Sequence, residues 1–224
     1  MKLKILYLSA NPILNLRTDT EYNRLKKIVK SSDYRDYIKL DGEVSTTIDD
    51  LISKLNKFKP HILHFSGHGE KNGEIFFSDD SGKISNPING ELFKKILDTT
   101  NKPKLIFLNA CYSLEIANNI KNSIDFIIGM NNEINDDIAS KFAERFYISF
   151  LENKTISTSF NQAQLLKDGY DIPKLLGDDK NDFKLSNIIP ISDIVDKKEK
   201  VEKDNNIKTY IKNIDNKGGT INFN

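Results

Sequence analysis

The chain contains a single cysteine, Cys111, among 224 residues. One cysteine excludes a disulfide framework within the chain and is typical of a reducing compartment, so we expect a cytoplasmic protein. It also restricts any thiol chemistry to one position. The surroundings of Cys111 are therefore the first place to look for a function.

The sequence also lacks an excess of charge and any long hydrophobic run. The 33 lysines and arginines nearly balance 32 aspartates and glutamates, and the net charge of +1 gives no general attraction to nucleic acid or to a membrane surface. The apolar run near the N-terminus covers residues 5–8, which is too short for a signal peptide or a membrane span. Tryptophan is absent, but 13 phenylalanines and a hydrophobic content of 38% suit the core of a soluble domain. We therefore expect neither a nucleic-acid partner nor a membrane partner.

Short apolar segments alternate with segments of helical periodicity through most of the chain. The apolar segments predict strands at residues 4–9, 34–40, 62–66, 104–108 and 125–130. The periodic segments predict helices that begin at Thr18 or Asp19, at Thr47, at Asn89, beyond Cys111, at Asn135 or Asp136, and near Thr155. This alternation predicts an α/β fold, a three-layer αβα sandwich with a mainly parallel central sheet. In such a sheet the active crevice lies beyond the carboxyl ends of the strands.

Two of the predicted strand ends carry residues that can do chemistry. His68 and Gly69 follow the third strand, and Cys111 follows the fourth. A thiol beside an imidazole is the arrangement of a cysteine hydrolase, with Cys111 as the nucleophile and His68 as the proton acceptor. The backbone N–H groups of Gly69 and Cys111 are candidate oxyanion donors, and the helix that follows Cys111 would favour a thiolate. A hairpin predicted at residues 74–85 borders the same crevice.

Other interpretations of these residues stay open. A cysteine at a strand end is often a core residue. A zinc site from three histidines and Cys111 is conceivable, but His61 and His64 differ in strand parity and point to opposite faces. His64 is better explained as a packed or hydrogen-bonded residue within the strand. A third catalytic group is not required; the candidates are the backbone of residues 12–14 and the carboxylates of Glu70 and Asp136.

The segments around both strand ends resemble one family. Residues 64–70, His-Phe-Ser-Gly-His-Gly-Glu, and residues 108–113, Leu-Asn-Ala-Cys-Tyr-Ser, are similar to those of CHAT domains, the bacterial caspase-like cysteine peptidases related to caspases and separase. Further similarity lies in the opening Leu-Tyr-Leu-Ser-Ala-Asn-Pro with Arg17 and Glu21, and in residues 127–130, 134–136, 139–142 and 146–147. The resemblance covers residues 4–167.

This resemblance implies a caspase–haemoglobinase fold, no cofactor, no metal, and a catalytic dyad of Cys111 and His68. It also implies that Asp136, which matches an acidic position of bacterial CHAT domains, binds the substrate by selecting a basic residue before the scissile bond. Asp136 could instead be the N-cap of the helix that starts there.

The composition changes along the chain, and the resemblance gives this change a meaning. We assign residues 1–178 to a CHAT or caspase-like peptidase domain, residues 179–206 to a charged linker or exposed helix, and residues 207–224 to a β-prone interaction tail. The family implies a cysteine endopeptidase that cleaves a protein substrate after activation by a protein partner, which binds the tail, in bacterial antiviral defence. The alternative is a catalytically silent signalling or scaffold module that recruits partners through the same tail.

Overall fold

In a computed structural model of the chain, the described residues are 1–11, 18–84, 87–165, 171–177 and 182–190. The chain divides into a compact unit, Met1–Ile188, which holds every element given below, and a separate unit, Ile189–Asn224. The predicted tail at residues 207–224 lies outside the described residues, as does most of the predicted linker. Within the described part, no helix is both long enough and apolar enough to cross a bilayer.

Six strands form one central sheet within the described part of the chain. They are β1 Leu3–Ala10, β2 Ile38–Glu43, β3 Ile62–Gly67, β4 Leu105–Asn109, β5 Phe126–Met130 and β6 Pro173–Gly177. Their order across the sheet is β2-β1-β3-β4-β5-β6. The pairs among β1 to β5 are parallel, and β6 runs antiparallel to β5. The prediction of a mainly parallel sheet is therefore confirmed.

Helices cover both faces of this sheet. They are α1 Thr18–Ser31, α2 Ile48–Phe58, α3 Gly90–Thr99, α4 Leu114–Ile120, α5 Asp136–Leu151 and α6 Ile156–Gln164. On one face, buried side chains of α2, α3 and α4 share a hydrophobic core with alternate residues of the strands. On the other face, Tyr147 of α5 stacks on His64 and Phe107 of the sheet, and α1 and α6 both pack against α5. The predicted three-layer αβα sandwich is confirmed.

The predicted helix starts agree with the structure because capping side chains mark them. The Thr47 side chain accepts a hydrogen bond from the Asp50 N–H at 3.1 Å, and the Asp50 carboxylate accepts one from the Thr47 N–H at 3.0 Å. This reciprocal pair is a capping box, which the spacing of the two residues predicts. Asn89 caps α3 and Thr155 caps α6 through their side-chain oxygens.

Two strands differ from the prediction. β2 begins at Ile38 rather than at residue 34, because Arg35–Tyr37 form a 3₁₀ turn. It then continues through polar residues at the sheet edge, where Lys54 pairs with Asp41 at 3.0 Å. β6 has no counterpart in the prediction, since a short edge strand that starts with proline lacks a long apolar run. The predicted hairpin at residues 74–85 consists of single bridges between short segments rather than of two strands.

Candidate active site

His68 and Cys111 line the same cavity at the carboxyl ends of β3 and β4. The two strands are neighbours, and Ser66 lies directly opposite Asn109 in their register. His68 is two residues beyond Ser66, and Cys111 is two residues beyond Asn109. The parallel pairing therefore carries the imidazole and the thiol to one edge of the sheet, where both side chains are half-buried. Gly69 and Asp136 line this cavity too, so the structure brings all four predicted site residues together.

Gly69 lies directly against the backbone of Cys111. A methyl group at Gly69 would collide with the Cys111 carbonyl oxygen and lie 3.3 Å from the Cys111 nitrogen. Only glycine permits such a close approach of two backbones. Among the described residues, neither the Gly69 N–H nor the Cys111 N–H donates to a backbone carbonyl of another residue. Both remain candidate oxyanion donors.

The turn after Cys111 is held in place by Ser113. Its hydroxyl donates to the Leu108 carbonyl oxygen at 2.9 Å and accepts from the Met130 N–H at 3.0 Å. Tyr112 adopts a left-handed conformation with φ of 56°, which costs a non-glycine residue about 1–2 kcal/mol. Such strain persists where the surrounding structure imposes it, commonly at functional sites. The bonded serine and the strained tyrosine together set the position of Cys111.

The Cys111 sulfur contacts the loop between β5 and α5. It accepts a hydrogen bond from the Ile134 N–H at 3.5 Å, and the thiol reaches the Ile134 carbonyl oxygen at 3.9 Å. Burial raises the pKa of the Cys111 thiol, and the negative charges of Glu133 and Asp136 raise it further, while the Ile134 amide lowers it. Together these influences raise the pKa of Cys111 above the ordinary cysteine value. α4 begins at Leu114, three residues beyond Cys111, and its influence on the thiolate stays a prediction.

The His68 ring contacts Asn11 at the end of β1. Its Nε2 lies 3.4 Å from the Asn11 side-chain oxygen. Burial lowers the pKa of the His68 imidazole, and the charge of Asp136 acts in the opposite direction without cancelling it. A lowered pKa of the imidazole and a raised pKa of the Cys111 thiol both favour the neutral pair over the thiolate–imidazolium pair. Asn11 was not among the candidates predicted for a third catalytic group. Of those candidates, Glu70 is exposed, and residues 12–14 lie outside the described part.

Asp136 is half-buried in the cavity wall at the start of α5. The N-cap of α5 is its neighbour Asn135, whose side-chain oxygen accepts a hydrogen bond from the Asp137 N–H at 2.9 Å. The interpretation of Asp136 as the N-cap is therefore wrong, because α5 receives its cap from the preceding residue. The role of Asp136 in substrate selection stays a prediction.

Beneath the cavity lies a buried carboxylate, Glu21 of α1, which is 7% exposed. One of its oxygens accepts from the Ser66 hydroxyl at 2.8 Å, and the other accepts from the Asn109 amide at 2.9 Å. His64 Nε2 lies 2.8 Å from the second oxygen, within ion-pair distance. Burial raises the pKa of Glu21, but the charge of His64 and the hydrogen bonds outweigh burial and bring the pKa below its ordinary value.

The other two histidines have structural roles. His64 is buried within β3, where its Nδ1 lies 3.2 Å from the Tyr147 hydroxyl, so its interpretation as a packed, hydrogen-bonded residue is confirmed. His61 lies at the opposite end of β3, and its Nδ1 accepts from the Lys4 N–H at 3.0 Å. Among the described residues, no three His, Cys, Asp or Glu side chains are grouped so that they could hold a metal ion.

A comparison with known families identifies this arrangement. A family model described as the caspase domain matches residues 18–209, which is most of the chain. The chain belongs to the caspase domain family. The match includes the ends of β3 and β4 that carry His68 and Cys111, and it confirms the resemblance to caspase-like peptidases.

Two curated relatives carry names that agree with this family. A probable protease from Gillisia limnaea is 31% identical over 132 residues, which are 58% of this chain and 23% of the relative. A Roc-COR-CHAT protease from an unknown prokaryotic organism is 28% identical over 170 residues, which are 71% of this chain and 16% of the relative. The chain therefore spans about a quarter or less of the length of the curated relatives that it matches.

Two solved structures share the fold of this caspase domain. A secreted C11 cysteine protease from Bacteroides thetaiotaomicron, in complex with an irreversible peptide inhibitor, matches with a TM-score of 0.53 and 14% identity, over 71% of this chain and 56% of its own. The Arg-specific cysteine proteinase gingipain R matches with a TM-score of 0.54 and 14% identity, over 78% of this chain and 46% of its own. At this identity the likeness concerns the fold alone, and it confirms the caspase–haemoglobinase fold.

Proposed function

We propose that the chain is a cysteine endopeptidase in which Cys111 is the nucleophile and His68 is the general base. The observation that carries this proposal is the common cavity at the ends of β3 and β4, which is lined by the thiol, the imidazole and the backbone of Gly69. A thiol and an imidazole at one sheet edge can perform acyl transfer without a metal or a cofactor. Membership of the caspase domain family supports the same chemistry.

The reaction then follows from the positions of these groups. His68 accepts the proton of the Cys111 thiol, and the thiolate adds to the carbonyl carbon of the scissile peptide bond. The N–H groups of Gly69 and Cys111 stabilise the oxyanion that forms. The C–N bond breaks as His68 returns its proton to the leaving amine. A water molecule, deprotonated by His68, then hydrolyses the thioester and restores the thiol.

The carboxylate of Asp136 provides the substrate preference in this proposal. It lines the cavity that holds Cys111, and it acts electrostatically on both His68 and Cys111. A half-buried negative charge beside the nucleophile favours a cationic side chain in the substrate. We therefore expect cleavage after lysine or arginine.

The resting enzyme requires activation in this proposal. Cys111 accepts a hydrogen bond from Ile134, and His68 contacts Asn11, so each reacting group is engaged with a different residue. A partner that moves the loop before α5 would release the sulfur, and residues 207–224 are the proposed binding segment. Deletion of residues 207–224 should remove stimulation by the partner and leave basal cleavage unchanged. Stimulation that survives the deletion would contradict the role of the tail.

A role in bacterial antiviral defence rests on the resemblance to bacterial CHAT domains. The experiment compares phage plaque formation on cells that express the wild-type protein or Cys111→Ala. We expect fewer plaques only with the wild-type protein. If neither protein lowers the plaque number, this role is contradicted. If both lower it equally, the silent scaffold is favoured.

The activity itself is tested with a peptide library that varies the residue before the scissile bond. We expect Cys111→Ala to lower kcat/KM by at least about 10³-fold and His68→Ala by at least about 10²-fold. Asp136→Asn should remove the preference for basic residues and leave cleavage after neutral residues unchanged.

His61→Ala is the matched control for these variants, because it changes the same residue type at the opposite end of β3. It should leave kcat/KM unchanged. Cleavage by Cys111→Ala at the wild-type rate would contradict the proposed nucleophile.

A further inference from the structure

A row of three small polar residues crosses the sheet beneath the candidate active site. Ser9 of β1 is the register partner of Ser66 in β3, and Ser66 is the partner of Asn109 in β4. Register partners in a parallel sheet share a face. All three side chains are buried, with exposures of 1%, 4% and 7%. The last two members of the row precede His68 and Cys111 by two residues each.

The Glu21 carboxylate bonds to two members of this row and not to the third. Its two oxygens accept one hydrogen bond each from Ser66 and Asn109, at 2.8 and 2.9 Å. Among the described residues, the Ser9 hydroxyl has no hydrogen-bond partner. The carboxylate therefore joins the two strands that carry the reacting side chains, while the neighbouring strand β1 takes no part.

We propose that Glu21 is a positioning residue that joins the ends of β3 and β4 and so sets the separation of His68 from Cys111. This inference rests on the proposed function, because the separation matters only if the two residues react together. The backbone register already sets this separation to within about a residue. The two hydrogen bonds add the finer control on which proton transfer and attack depend, since a shift of about 1 Å can cost about 100-fold in rate.

The burial of a charge is what distinguishes this role from ordinary packing. A buried carboxylate loses its hydration, and well-packed apolar residues usually stabilise a core at least as well. Tyr7, Phe107 and Tyr147 all stack on the ring of His64, which lies beside the Glu21 carboxylate. Stability alone therefore gives little reason for a charge at this position, whereas a rigid link between two strand ends does.

The test compares Ser66→Ala with Ser9→Ala in the full chain. Both variants remove a buried hydroxyl from the same row, but only the first removes a bond to Glu21. The probe is a peptide acyloxymethyl ketone with arginine next to the ketone, which alkylates Cys111. The ketone reacts irreversibly, so it labels the protein whenever the site opens, even if the open conformation is rare. No activator is therefore needed. Iodoacetamide measures the accessibility of the thiol in parallel.

We expect Ser66→Ala to lower kinact of the ketone about tenfold and to leave its KI within about twofold of the wild type. The iodoacetamide rate should stay unchanged, and Ser9→Ala should match the wild type in every measurement. Ser66→Thr, which keeps the hydroxyl, should restore kinact. Glu21→Gln keeps the shape and one acceptor oxygen, and its kinact should fall between those of the wild type and Ser66→Ala.

The possible failures are distinguishable. An equal kinact in Ser66→Ala and Ser9→Ala would overturn the positioning role and leave the dyad intact. A parallel fall of kinact and the iodoacetamide rate in Ser66→Ala would also overturn it, because the variant would then act through the accessibility of the thiol. Labelling of His68→Ala by the ketone at the wild-type rate would overturn the dyad and the positioning role together.

Discussion

Two groups of residues at the cavity differ in their contacts. The floor consists of Glu21, His64, Ser66 and Asn109, and the rim consists of Asn11, His68, Cys111, Ile134 and Asp136. In the floor, the polar contacts around Glu21 are 2.8–2.9 Å long, and its partners are less than 10% exposed. In the rim, the contacts are 3.4–3.9 Å long, and the reacting side chains are half-buried.

This difference separates the location of the reacting groups from their chemical state. Three of the four floor residues belong to β3 and β4, so the floor determines where His68 and Cys111 lie. The rim determines which hydrogen bonds they make and which protonation states they adopt. The proposed activation therefore needs to rearrange only the rim, which is the part with longer contacts and greater exposure.

Glu21→Ala should have the largest effect, because it removes the centre of the floor. The variant leaves the Ser66 hydroxyl and the Asn109 amide buried without their acceptor and His64 without its charge partner. We expect a loss of about 3–5 kcal/mol in the free energy of unfolding, because two buried hydrogen-bond donors lose a charged acceptor. Urea unfolding at pH 7 measures it.

Ser9→Ala serves as the control for this prediction, since its hydroxyl is equally buried but has no described partner. It should change the free energy of unfolding by less than about 1 kcal/mol. A similar loss in both variants would mean that the floor is ordinary packing and not a bonded network.

The layout of the floor and rim was only partly predictable from the sequence. Cys111 and His68 could be placed together because each follows a buried apolar strand, and the carboxyl ends of neighbouring parallel strands meet at one edge. The helix starts could be located because caps such as Thr47 depend on residues within one turn. Both inferences use local patterns and one rule of topology.

The role of Glu21 and the existence of β6 could not be found in this way. A glutamate in an amphipathic helix has the same local pattern whether it faces water or a buried serine, and only the tertiary contact with β3 and β4 reveals its role. β6 is defined by its pairing with β5 rather than by its own composition. The raised pKa of Cys111 was also not predictable, because it depends on burial and on the charges of Glu133 and Asp136, which are distant in sequence.

Gly69→Ala should have the next largest effect and should act where the floor meets the rim. The added methyl group collides with the Cys111 carbonyl oxygen, so the two strand ends must separate. We expect kcat/KM to fall about 100-fold, through displacement of the oxyanion donors and of the nucleophile. Peptide cleavage or ketone labelling measures it.

Gly82→Ala provides a comparison, since a methyl group there meets open space and φ is 78°. It should reduce stability by about 1 kcal/mol through backbone strain alone and leave activity unchanged. Equal activity of the two variants would contradict the close approach at Gly69.

Acid should weaken the floor through Glu21. Because its pKa in the folded protein lies below the ordinary value, its stabilising contribution is present above the unfolded pKa of about 4.3 and is lost as the pH falls through the lower folded pKa. Glu21→Gln should therefore be less stable than the wild type at pH 7, and this difference should shrink below about pH 4. Urea unfolding across this pH range measures it, and a difference that does not vary with pH would contradict the prediction.

The smallest predicted effects concern two charges in the rim that act on different groups. Glu133 raises the pKa of Cys111 alone, whereas Asp136 raises the pKa of Cys111 and also that of His68. Glu133→Gln should therefore lower the pKa of the thiol and leave that of the imidazole unchanged, while Asp136→Asn should lower both. Alkylation of the single cysteine by iodoacetamide as a function of pH reports the thiol, and proton NMR of His68 reports the imidazole.

Salt separates the two variants further. Glu133 is exposed and Asp136 is half-buried, so added salt should reduce the effect of Glu133→Gln more than that of Asp136→Asn. An unchanged pKa of His68 in Asp136→Asn would place the carboxylate too far from the imidazole to act on it. The rim would then consist of independent groups, and moving the Ile134 loop would change the thiol without changing the base.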